Sequence, residues 1–195
     1  MQPPDRDQVC LADGVITLRP VRLEHAEAFV AAINESLAEL RPWMSFAQMP
    51  ATLPDIRNWI EDQPALWARG LNYAFAVLEA GAADEKPVLL GGCGFNFVHP
   101  VHRLANLIYW VRTSRCGEGI ATRLIPLLAG FGFRSLGLNR IEIVVAAGNH
   151  ASLRVAEKAG ALREGLMRNR ILLGDTLQEA IMHSLIPGDL GLGRE

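Results

Sequence analysis

Between Ala105 and Ala146 the chain runs apolar strand, glycine-bearing loop, amphipathic helix, second apolar strand, and this order constrains the fold more than any other feature. Ala105–Arg112 reads as a strand. Ile120, Leu124, Leu128 and Phe131 recur at helical spacing in a helix predicted over Gly117–Arg134, and Ile141–Ala146 reads as the next strand. Two strands joined through a helix in this way form a parallel, right-handed crossover. Between the first strand and the helix stands Arg112-Thr113-Ser114-Arg115-Cys116-Gly117-Glu118-Gly119-Ile120-Ala121-Thr122. Gly117 and Gly119 allow close backbone approach to a ligand. The helix start adds unpaired N–H groups at the positive end of a dipole, which suits a pyrophosphate. A tight strand-to-helix turn would use the same two glycines.

Two other phosphate-binding readings fit less well. Gly117-x-Gly119-x-x-Thr122 is one glycine short of the dinucleotide fingerprint, and Glu142 opens its strand instead of ending it, where a ribose ligand belongs. No Gly-Lys-Ser/Thr follows the glycines, so a Walker-type loop is absent.

Around this unit the pattern is mostly antiparallel. Gly14–Pro20 reads as a strand, 24–40 as a helix stopped at Arg41-Pro42, and Thr52, Pro54 and Asp55 as the capped start of a second helix that Pro64 splits. Tyr73–Glu79 and Pro87–Val98 are predicted to pair across Ala80–Lys86. Pro126 is expected to kink the long helix. A short helix over Ala151–Lys158 ends at Gly160, and Leu166–Leu173 and Thr176–Ile186 flank a Gly174-Asp175 turn. The expected fold is one α/β domain over 13–188, with a mixed, mostly antiparallel sheet of six to seven strands flanked by helices. Segment 1–12 is expected to lack regular structure, and 189–195 to be a flexible tail.

Composition narrows the function classes. The 195 residues are 50% hydrophobic and carry a net charge of −2. No strong field is present to capture nucleic acid or an anionic membrane. Cys10, Cys93 and Cys116 are odd in number and far apart, as in a reduced cytosolic protein. The polar opening MQPPDRDQ does not read as a secretory signal, and no run approaches the roughly 20 apolar residues of a membrane span. A cytoplasmic protein is expected.

Five short motifs, in order, resemble the GNAT superfamily of N-acetyltransferases, most closely the branch that acetylates ribosomal-protein N-termini. They are Leu18-Arg19-Pro20, Glu39-Leu40-Arg41-Pro42-Trp43-Met44, Tyr109-Trp110-Val111, Leu136-Gly137-Leu138-Asn139-Arg140, and Asn149-x-x-Ser152 with Glu157-Lys158-x-Gly160. The resemblance implies a sheet split by acetyl-coenzyme A, which acts as acyl donor to an amine, with a protein N-terminus as favoured acceptor. It implies that backbone N–H groups of Cys116, Gly117, Gly119, Ile120 and Ala121 hold the pyrophosphate, within a loop that also includes Arg115, Glu118 and Thr122. It places the pantetheine arm and acetyl carbonyl along Trp110, Val111 and Arg112, puts Asn149 on the arm and Ser152 near the thioester sulfur, and suggests a homodimer. The chain departs from the family at Cys116, where Gln or Arg is usual, and at Asn106, where many members have Glu. It also lacks the tyrosine that many carry on the helix after Asn149.

Acetyl transfer requires a neutral amine, a donor for the tetrahedral oxyanion and a proton for the thiolate. The Val111 N–H is the oxyanion candidate and Ser152 the candidate donor to the thiolate, although a first-turn serine also serves its own backbone. Asn149 is equally suited to capping a helix. Glu164, Asp175 and Glu179 are the candidate bases, with a water chain that uses none of them as the alternative. His99-x-x-His102 lacks a third ligand, so no metal is expected; His183 reads as structural. Gly91-Gly92-Cys93-Gly94 indicates a bulge or close packing. Trp43, Phe46 and Trp59 suit an acceptor pocket or a core. Cys116, at a helix start beside Arg115, is either a thiol of lowered pKa or an inert one.

Overall fold

A computed structural model of the protein describes residues 3–81 and 88–193. The start of the chain contributes regular structure that the sequence pattern does not announce. A 3-10 turn over Arg6–Gln8 leads to strand β1 (Leu11–Ala12), which pairs with β2 (Ile16–Pro20). Asp13 organises the reversal, its Oδ1 accepting the N–H groups of Val15 and Ile16 at 2.9 Å. Before it, the Trp67 indole donates to the Pro4 carbonyl at 3.0 Å.

The helix expected over 24–40 is two helices, α1 (Ala26–Glu35) and α2 (Leu37–Leu40), broken at Ser36. Ser36 is fully buried, and its hydroxyl accepts the Thr113 N–H at 2.9 Å. The break thus serves a distant loop, which no local pattern encodes. By contrast, α3 (Leu53–Ala68) runs unbroken through Pro64. Ile60, Gln63 and Trp67 are buried on either side of the proline, and the Gln63 amide donates to the Trp59 carbonyl at 2.8 Å. Packing and a side-chain hydrogen bond together offset the lost backbone bond.

The remaining elements are β3 (Tyr73–Glu79), β4 (Leu89–His99), β5 (Leu104–Val111), α4 (Ile120–Arg134), β6 (Arg140–Ala146), α5 (His150–Lys158), β7 (Leu162–Leu173) and β8 (Thr176–Leu185). The segment expected to join β3 to β4 falls largely outside the described residues. The sheet is α/β in character and has eight strands in the order β1-β2-β3-β4-β5-β6-β8-β7, the extra strand being β1. Among the described strands, only β5 and β6 pair in parallel. α4 is one helix through Pro126. The 3-10 turn Pro187–Leu190 follows β8, and Leu190 and Leu192 pack on the core instead of trailing as a tail.

Two cores lie on the two faces of the sheet. Leu124, Leu128 and Phe131 of α4 and Ala156 of α5 pack on Phe75, Val77, Phe95, Leu107 and Ile143. Phe29, Ile33 and Ile60 of α1 and α3 pack on Ala74, Ala76, Leu78 and Trp110. Burial on both faces explains why β3 reads as an unbroken apolar run. In β4, a Cβ at Gly91 would stand 2.1 Å from the Trp110 carbonyl oxygen, so glycine there permits the close approach of β5.

Candidate active site

The strands β5 and β6 part company early. They pair only at Leu104–Arg140, Ala105–Ile141 and Asn106–Glu142, leaving Leu107 to Val111 without a β6 partner. Asn106 sits at the base of this fork. Its Nδ2 donates to Asn96 Oδ1 at 2.8 Å, and its Oδ1 accepts the Val144 N–H at 3.4 Å. The amide therefore ties β4, β5 and β6 together where the sheet divides.

Above that point, the Arg112 N–H bonds the Leu90 carbonyl of β4 at 2.8 Å. Backbone groups alternate sides along a strand, so the N–H of Val111 faces the open fork. The side chains alternate too: Tyr109 and Val111 lie with the α4/α5 core, while Trp110 lies with the α1/α3 core.

The glycine loop closes one end of the fork. A 3-10 turn over Thr113–Arg115 takes the Cys116 N–H to the Thr113 carbonyl at 3.1 Å. Of the five expected anion-binding donors, Cys116 is therefore already engaged. The N–H groups of Gly117, Gly119, Ile120 and Ala121 have no backbone acceptor among the described residues, the first α4 donor being Arg123 to Gly119. Gly117 at φ +88° and Gly119 at φ +77° adopt the left-handed region, which an L side chain enters only at a cost. Thr122 lies in the first turn of α4.

Neighbouring carboxylates hold the loop. Glu35, at the end of α1, accepts from Arg112 Nε at 3.1 Å and from the Ser114 N–H at 3.0 Å. These bonds hold its carboxyl at about 2, Arg112 contributing most. Arg115 is shared between Glu79 (2.8 Å) and Glu118 (2.9 Å), so both expected loop cations are paired. Cys116 reaches the surface, yet partial desolvation of its sulfur, followed by the nearby charges of Glu39 and Glu35, raises its pKa. Of the two expectations for this thiol, the surroundings favour the inert one: Arg115 is spent on carboxylates, and the charges acting on the sulfur are negative.

Across the fork, Asn149 caps α5, its Oδ1 accepting the Ser152 N–H at 3.0 Å. The Ser152 hydroxyl lies 2.7 Å from the Tyr109 hydroxyl, and burial pushes the Tyr109 pKa up to about 12. Tyr109 was singled out in the sequence only as part of a motif. Its position two residues before Val111, on the same strand face, was the available signal. The structure brings Val111, Tyr109, Ser152 and Asn149 together at the fork.

Glu164 is not brought there. Its two oxygens accept from Arg140 at 2.7 and 2.6 Å, and the Ser184 hydroxyl donates at 2.7 Å. Ser184 is level with Glu142, at the fork's base, five residues or roughly 17 Å along β5 from Val111. Arg140 first, then Ser184, hold the carboxyl at about 2, which makes it a poor base. Asp175 occupies the β7–β8 turn, and the Glu179 carbonyl accepts the Ala147 N–H at 2.9 Å near the fork's mouth. His99 and His102 stack at 4.4 Å, and no metal-binding cluster is present among the described residues. None of the described helices is long and apolar enough to cross a membrane.

The other face of β5 borders a cavity of about 440 Å³ walled by Phe29, Phe46, Met49, Trp59, Ile108 and Trp110. Phe46 and Trp59 join this wall as expected of pocket residues; Trp43 instead approaches Gly148.

Comparison with known proteins agrees with this geometry. Residues 16–162 match the family model described as "Acetyltransferase (GNAT) domain". The chain is 29% identical over 181 residues to "Putative ribosomal N-acetyltransferase YdaF" of Bacillus subtilis, covering 91% of this chain and 94% of that protein. It is 24% identical over 171 residues to the ribosomal-protein-serine acetyltransferase of Escherichia coli, covering 88% and 92%. Among solved structures, Mycobacterium smegmatis RimJ in complex with CoA-disulfide superposes with a TM-score of 0.83 at 25% identity, covering 97% of this chain and 92% of that one. With the forked sheet, the glycine loop at a helix start and a family match over most of its length, the chain belongs to the GNAT acetyltransferase family.

Proposed function

We propose that the protein transfers the acetyl group of acetyl-coenzyme A to the α-amine of a protein or peptide. The observation that carries this reading is the Val111 N–H facing an open fork directly before a loop of free backbone donors. The phosphates occupy the N–H groups of Gly117, Gly119, Ile120 and Ala121, and the pantetheine arm lies along the unpaired edge of Tyr109 to Val111. A neutral amine attacks the thioester carbonyl and forms the C–N bond. The Val111 N–H stabilises the oxyanion. As the C–S bond breaks, the Tyr109–Ser152 hydroxyl pair delivers a proton to the thiolate. The proton lost by the nitrogen passes to water, since Glu164 is tied to Arg140 away from the fork.

The relatives named for ribosomal N-acetylation support a ribosomal-protein N-terminus as acceptor, in the cytoplasm. The unpaired edge of β7, with Leu162, Leu166 and Leu172 exposed, supports a homodimer, which sedimentation at several concentrations tests. The decisive experiment is calorimetric titration with acetyl-coenzyme A alongside thiol release against N-terminal peptides and small amines. Peptide-dependent release supports the reading. Release only with small amines moves the acceptor to that class, and binding with no release makes the protein a coenzyme-binding regulatory module.

A further inference from the structure

On the α1/α3 side of the sheet, β3 and β4 present Ala74, Ala76, Gly92 and Gly94. These are the smallest side chains available, so the sheet surface recedes beneath the helices there. The walls around the recess are large: Phe29 and Trp59 meet edge to face at 5.5 Å, and Trp110 lies 6.1 Å from both Phe29 and Phe46. Small floor and bulky walls leave the cavity of about 440 Å³, within the size range of small-ligand sites and ample for a large apolar side chain.

The lining is mostly apolar and aromatic, and its two polar side chains of greatest reach each make a hydrogen bond within the protein. The Asp55 carboxylate accepts the Thr52 hydroxyl at 2.5 Å, and the Asn72 amide donates to Gln63 Oε1 at 2.7 Å. A charged or hydroxylated occupant would give up water there for little in return. Access is open, because Met49, Phe46 and Trp59 are 73%, 48% and 37% exposed at the rim.

The cavity and the fork share one strand, β5. Ile108 and Trp110 line it, while Tyr109 and Val111, between and beside them, serve the other face and the open edge. A donor held at the N-terminus of α4 reaches the Val111 N–H from the α4/α5 side. An amine approaching from the α1/α3 side has this cavity beside it.

We infer that the cavity is the specificity pocket for the acceptor, and that it takes a bulky apolar or aromatic group carried next to the reacting amine. N-terminal Phe, Leu or Met are then acceptors, in preference to Ser or Ala. The inference rests on the acetyl-transfer reading for the identity of the amine, but the pocket's preference is measurable without turnover.

The test is equilibrium binding of peptides differing only in a first residue of Phe, Leu or Ser to the coenzyme-A-saturated protein. Binding is read by tryptophan fluorescence and by calorimetry, with thiol release from acetyl-coenzyme A measured in parallel. An arm comparing 2-phenylethylamine with ethanolamine separates a free apolar amine from a peptide. Phe and Leu peptides are expected to bind about tenfold or more tighter than the Ser peptide. Phe46→Ser and Trp59→Ser, both at the rim, are expected to reduce that preference to about twofold while coenzyme A affinity stays constant. Equal or tighter binding of the Ser peptide, absence of peptide and amine binding altogether, or a preference untouched by both substitutions overturns the inference. Apolar preference without thiol release leaves the pocket assignment standing and removes acetyl transfer. Thiol release with no first-residue preference does the reverse.

Discussion

The hydroxyls of Tyr109 and Ser152 lie 2.7 Å apart across the gap where β5 and β6 separate, one carried by a strand and the other by the first turn of α5. Neither residue has the other in sequence reach, and each gains its role from the fork between them. Burial keeps Tyr109 protonated up to about pH 12, so the pair holds a proton at any pH at which a thioester is stable.

Tyr109→Phe removes that proton. Turnover is expected to fall about 100-fold, with the Kd for acetyl-coenzyme A changed by no more than about twofold. In the parent protein the pH–rate curve should rise through the acceptor amine's pKa of about 8 and stay level beyond it. An alkaline fall beginning near pH 9 would assign the acid to another group.

Glu35 fixes Arg112 and the Ser114 N–H, and thereby the loop that precedes α4. Glu35→Gln is expected to raise the KM for acetyl-coenzyme A about three- to tenfold with little change in the acceptor KM. Its carboxyl is held at about 2 against about 4.5 when unfolded, so the native contribution is complete above pH 4.5 and disappears as pH falls toward 2. Melting curves of parent and variant should therefore draw together between pH 4.5 and 2; a gap as wide at pH 2.5 as at pH 7 contradicts the clamp.

Glu164 makes a complementary prediction. Its oxygens are occupied by Arg140 and Ser184, below the fork. Glu164→Gln should leave kcat within about twofold and cost less than about 1 kcal/mol of stability, because the pair is partly solvated. A loss of turnover of 100-fold without loss of fold would restore it as the base.

His183 is fully buried in β8, and among the described residues neither ring nitrogen has a hydrogen-bond partner of normal geometry. Burial lowers its pKa, so the unfolded chain takes up a proton near pH 6.5 that the native state resists, and stability falls as pH drops through that value. His183→Leu is expected to stabilise by about 1 kcal/mol at pH 8 and by more at pH 5.5, measured by urea denaturation at both values.

Much of this architecture was written locally. The apolar alternation of β5, the period of Ile120, Leu124 and Leu128, and the glycines before them specify a strand–loop–helix unit because propensity and periodicity act within a few residues. The Asn149 cap was legible for the same reason. Other features were not. Ser36 breaks a helix to accept the Thr113 N–H, Pro64 rides inside α3 because Ile60 and Trp67 are buried around it, and β1 exists because β2 offers it an edge.

The site divides in the same way. The sequence determined that a glycine turn with unpaired backbone donors opens α4, since positive φ at Gly117 and Gly119 and a helix start are local properties. Tertiary structure decided which side chains meet: Tyr109 with Ser152 from 43 residues away, Arg112 with Glu35 from 77, and Glu164 with Arg140 instead of the fork. Such pairings depend on strand order and register, which are set by the whole sheet and not by any window of the chain.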